Sequence, residues 1–77
     1  MSQGYSLNLV EANRQVNQRH LGVALGRVCI AARVPITDVA AHFGVSRQAV
    51  YNWFKGVSHP HPRLTTQIQK YMSKIGR

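Results

Sequence analysis

Apolar residues recur along this chain in steps of three and four. Leu21, Leu25, Val28, Cys29 and Ala32 form the first sustained stripe and predict a helix from about 18 to 33. Gly22 and Gly26 weaken that helix locally, and their spacing allows another helix to approach closely. Val34-Pro35 ends it, because proline disfavours helical geometry in the residue before it and suits the first turn of a new helix. Ile36, Val39, Ala40 and Phe43 predict a second helix over 36–43, with Asp38 near its positive end. Gly44-Val45-Ser46 is a sharp break: the glycine can take the left-handed conformation that closes a helix, and Ser46 is a good N-cap for the next. A third helix covers 47–55 and stops at Gly56. Two prolines in three residues make 57–62 a loop. The last helix begins at Pro62 or Arg63 and runs to Ile75, with Leu64, Ile68, Tyr71, Met72 and Ile75 on its apolar face. Upstream, Asn8 is placed to cap a short helix with Glu11 three residues on, although only Leu9, Val10 and Val16 are apolar there. The pattern describes an all-α domain of four to five helices over 18–77, preceded by an arm or short helix over 1–17.

The segment 36–56 meets the demands of two short helices joined at a tight corner. Ala40 is small where the helices come closest, Gly44 occupies the turn, Val45 plugs the junction, and Val50 and Trp53 anchor the second helix to the core. The opposite face of that helix carries Arg47, Tyr51 and Lys55 at four-residue steps, with Gln48 and Asn52 one position further on. Each of the five side chains can hydrogen-bond and none is acidic. Such a ridge suits base edges in a major groove: Arg47 for guanine, Gln48 and Asn52 for adenine, Tyr51 for a phosphate oxygen or a thymine methyl. Lys55 and Ser46 are better suited to phosphate.

Charge sharpens this picture. Ten Lys and Arg face two acids, Glu11 and Asp38, for a formal charge of +8. So lopsided a balance points to a polyanionic partner. The cations are spread along the chain, which favours a folded charged face over a basic tail. With two acids a catalytic carboxylate pair would require Glu11 to meet Asp38, and no phosphate loop or Ser/His/Asp arrangement is evident, so no enzyme is expected. His59-Pro60-His61-Pro62 lacks a neighbouring cysteine or carboxylate, so a rigid loop is favoured over a metal site. Following the third helix, His59, His61 or Arg63 can reach a nucleic-acid backbone, while His20 and His42 are expected at the surface. Cys29 is the only cysteine and stands among apolar residues, as a small core residue would. A signal peptide and a membrane-spanning run are both absent from the pattern, so a cytoplasmic protein is expected. At 77 residues the chain buries a small core, which makes an oligomer a reasonable expectation.

Residues 21–75 resemble the phage-repressor and Cro type, or lambda repressor-like, helix-turn-helix domain. The resemblance lies in Val39-Ala40 and Phe43-Gly44-Val45-Ser46 around the turn, then Gln48-Ala49-Val50 and Trp53-Phe54-Lys55-Gly56. It implies a transcriptional regulator, of repressor type, whose third helix enters the major groove of double-stranded DNA, usually as a homodimer on a pseudo-palindromic operator. Carried over by position, base reading falls on Arg47, Gln48, Tyr51 and Asn52. Pro35 and Ile36 stand where the family often has Ser or Thr followed by a phosphate-touching Gln, which leaves Thr37 as the substitute. No cofactor, metal, membrane or small-molecule substrate is implied. Two other roles use the same residues: a DNA-architectural or recombination accessory protein such as an excision factor, and an antitoxin or inhibitor type of interaction module.

Overall fold

The second helix of the chain organises the rest. A computed structural model describes residues 7–14 and 20–76. Its helices are α1 (Leu7–Arg14), α2 (Leu21–Ala31), α3 (Ile36–Phe43), α4 (Arg47–Lys55) and α5 (Thr65–Ile75), with a 3-10 turn at Pro62–Leu64 and no strand among the described residues. α2 buries Gly22, Val23, Leu25, Gly26 and Cys29 and packs chiefly against α4, then against α5 and α1.

The two glycines of α2 are contact points with neighbouring elements. A Cβ on Gly22 would stand 2.7 Å from the Trp53 Cβ and 2.9 Å from the Trp53 carbonyl oxygen. One on Gly26 would stand 2.5 Å from Asn13 Nδ2 and 2.9 Å from Phe54 Cγ. The close approach expected from their spacing is therefore made by α4, with α1 joining at Gly26. α1 enters the core through Leu9 and Asn13, both 2 % exposed. Asn13 Nδ2 donates to the Val23 carbonyl at 3.1 Å and to the Phe54 carbonyl at 2.8 Å. The Phe54 carbonyl lies in the last turn of α4, where the helix itself supplies no donor. Arg27 returns the favour at the end of α1: its guanidinium donates to the Arg14 carbonyl at 2.9 Å and the Asn13 carbonyl at 3.4 Å.

Several boundaries differ from the sequence pattern. α2 starts at Leu21 rather than 18, because the His20 ring caps it, accepting from the Gly22 and Val23 N–H groups. Residues 18 and 19 lie outside the described residues, as do Val16 and the rest of 15–17. At its other end α2 stops at Ala31: Ala32 is the exposed C-cap, and Arg33 takes a left-handed φ of 58°. Ala32 therefore leaves the apolar stripe. Asn8 sits inside α1, which begins one residue earlier, so it does not cap that helix. α3 and α4 occupy the predicted spans. The last element starts at Pro62 as expected, but as a 3-10 turn carrying Leu64 before α5 proper.

Candidate nucleic-acid interface

The corner before α4 is built by backbone hydrogen bonds. Gly44 closes α3 at φ 67°, ψ 37°, its N–H donating to the Ala41 carbonyl while the Val45 N–H reaches the Ala40 carbonyl at 3.0 Å. Val45 packs half-buried on the core, and Ala40 is buried. Ser46 then adopts an extended conformation and its Oγ accepts from the Ala49 N–H at 3.1 Å, satisfying one of the orphan donors of α4. Gly56 ends α4 at φ 78° in the same manner as Gly44 ends α3.

Between these caps α4 is sharply two-sided. Val50, Trp53 and Phe54 are buried. Phe54 is a core residue that the pattern of Val50 and Trp53 does not reveal, since it lies under α1 on a second covered flank. Arg47, Gln48 and Lys55 are exposed, while Tyr51 and Asn52 are half-buried. Tyr51 packs partly against the core, so of the five ridge residues it projects least freely. Gln48 Nε2 donates to Asn52 Oδ1 at 3.1 Å. This pairing of residues four apart leaves Gln48 Oε1 as an acceptor and Asn52 Nδ2 as a donor. An adjacent acceptor and donor complement the N6 donor and N7 acceptor of adenine.

The remaining candidates come from other segments. Thr37 is exposed in the first turn of α3. His61 and Arg63 are exposed on the connection to α5, where His61 Nδ1 accepts from the Arg63 N–H at 3.1 Å and caps the 3-10 turn. His59 is exposed, but its ring lies flat on that of His20, centroids 3.9 Å apart and planes 12° from parallel. His20, expected at the surface, is thus half-buried between a helix end and a loop, and burial pushes its pKa below the usual histidine value, with His59 adding to the effect. His42 is exposed as expected, resting on Phe43 and on Tyr71, 4.4 Å away.

Cys29 is fully buried, and burial pushes its thiol up to about 12, so it is un-ionised at neutral pH. Among the described residues no three His, Cys, Asp or Glu side chains come together as metal ligands would, and no helix is long and apolar enough to cross a membrane. No family model, curated protein or solved structure matches the chain.

Proposed function

We propose that this protein binds double-stranded DNA sequence-specifically through α4 and acts as a transcriptional regulator of the phage-repressor and Cro type, without enzymatic activity. The observation that carries the reading is the two-sidedness of α4: Arg47, Gln48, Tyr51, Asn52 and Lys55 form an acid-free ridge over the buried Val50, Trp53 and Phe54. The formal charge of +8 supports it, because phosphate neutralisation by Lys and Arg supplies most of the non-specific affinity for DNA. In this reading Arg47, Gln48, Tyr51 and Asn52 contact base edges. Thr37, Ser46, Lys55, His59, His61 and Arg63 contact the phosphate backbone. Two copies then occupy the half-sites of a pseudo-palindrome, one helical turn apart.

The test is selection of bound duplexes from a random pool, followed by titration of the winner against scrambled duplex and heparin at several salt concentrations. Enrichment of a two-fold symmetric site, with a preference over scrambled duplex of a thousandfold or so, is expected for a regulator of this class. A pool that remains unenriched, with heparin competing as well as DNA, would remove the reading and leave a basic surface that takes acidic partners.

A further inference from the structure

Two histidines that the DNA reading leaves half-used meet at the N-terminal end of α2. His20 stands before α2, and its Nδ1 accepts from the Gly22 N–H at 3.1 Å and from the Val23 N–H at 3.3 Å. His59 belongs to the loop between α4 and the 3-10 turn, and its ring covers the His20 ring at 3.9 Å. The stack is therefore the fastening between that loop and the N-terminal end of α2.

The cap dictates the proton on His20. A nitrogen that accepts two N–H donors carries no hydrogen, so in the neutral ring the proton is on Nε2. That atom is enclosed and meets no partner at hydrogen-bonding distance and angle. The backbone of Ser58 and that of His20 itself favour a protonated ring, each less strongly than burial or His59 opposes it. Adding a second proton places an N–H at Nδ1, pointing at two more N–H groups and at the positive end of α2. The cap and the charged ring exclude each other.

We propose that His20 and His59 form an acid-released clasp that fastens the α4–α5 loop to α2 while His20 is neutral and lets go when it is protonated. Among the described residues His59 is the titratable group whose charge acts on His20; the first turn of α2 carries no acid to hold a proton in place. Burial lowers the affinity of His20 for a proton, and the charge of His59 lowers it further. Protonation therefore favours the open loop, in which the ring is hydrated and the cap is broken. Should the DNA reading hold, the same event loosens the loop that carries His59 and His61, both phosphate contacts in that reading, but the clasp itself does not depend on it.

The experiment uses the full chain without DNA. Ring nitrogens and backbone amides are followed by NMR from pH 8 to pH 5. At pH 8 the His20 proton is expected on Nε2, and His20 is expected to titrate below 6.5, its ordinary value. Exchange protection of the Gly22 and Val23 amides should fall roughly tenfold per pH unit from there to the folded-state midpoint, since one proton separates the closed and open forms. Ser58 and His59 resonances should move with the same midpoint. His59→Ala, a change at an exposed position, should bring the His20 midpoint back towards 6.5. His20→Asn, whose side-chain oxygen can cap without titrating, should give protection independent of pH over this range. A neutral His20 protonated on Nδ1 overturns the proposal. So does a His20 midpoint unmoved by His59→Ala, or loop resonances that stay put while His20 titrates; these readings stand even if His20→Asn does not fold.

Discussion

Arg33 ends α2 at φ 58°, a conformation that costs a residue with a Cβ about 1 kcal/mol or more. It is held there by two hydrogen bonds, from its own N–H to the Ile30 carbonyl and from the Val34 N–H to the Cys29 carbonyl. The same paired bonds close α3 at Gly44 and α4 at Gly56, where glycine removes the cost. A valine follows in all three cases. Val34 and Val45 pack on the core, whereas Val57 stays 69 % exposed. Arg33→Gly is accordingly expected to stabilise the fold by about 0.5–1 kcal/mol, read as a higher urea midpoint with unchanged slope; a lower midpoint would show that the Arg33 side chain does more than the backbone geometry implies. Gly44 presents the converse. Nothing lies within 4 Å of a Cβ built there, so Gly44→Ala should cost about 1 kcal/mol through φ alone and leave the corner in place. On the ridge, Arg47→Ala and Gln48→Ala should each weaken binding to the selected duplex by about 1–3 kcal/mol and relax base preference. Lys55→Ala should weaken all duplexes alike and reduce the salt slope by about one.

The elements are tied to one another by side chains that cap their neighbours. Asn13 of α1 satisfies a carbonyl in the last turn of α4, and Arg27 of α2 satisfies the last carbonyls of α1. The α2–α4 contact depends on the missing Cβ of Gly22, whose nearest neighbours are Trp53 backbone and Cβ atoms that no rotamer change can move. Helix propensity alone would make Gly22→Ala favourable by about 1 kcal/mol. Overpacking against backbone works against it and is larger, at about 1–3 kcal/mol. Net destabilisation is therefore expected, visible as a lower thermal midpoint, and a stabilised Gly22→Ala would mean that α4 can slide away from α2 at little cost.

For the molecule as a whole, the titrating groups bound the pH range of stability. His20 has a folded-state pKa below its ordinary 6.5, so the unfolded chain binds more protons there; its contribution is present above 6.5 and lost as pH falls through the folded value. Cys29 runs the other way. Its folded pKa of about 12 lies above an ordinary 9.0, so stability is present below 9 and is lost as the unfolded thiol ionises above it. Tyr71, raised first by burial, adds to the loss at still higher pH. Thermal midpoints should form a plateau between about pH 6.5 and 9 and fall on both sides, with Cys29→Ala flattening the alkaline fall and His59→Ala the acid one. A midpoint that rises steadily into the alkaline range would contradict the buried thiol.

The α3 and α4 spans, the glycine corner and the polar ridge were legible from the residues alone, because each depends on local rules: spacing on a helix, φ at a glycine, an oxygen before a first turn. The burial of Cys29 and the service of Gly22 and Gly26 as points of close approach were legible for the same reason. Tertiary structure decided the rest. Val23 and Phe54 are buried because α2 and α4 are covered on more than one flank, and Asn13 because α1 packs on both of them; no single-helix period records a second neighbour. Arg33 takes the place of a cap glycine, and His20 becomes a cap and a stacking platform, through contacts with residues remote in sequence or bonds that override the usual residue preference. Sequence specifies what each helix needs locally; which partner meets that need depends on how the helices are brought together.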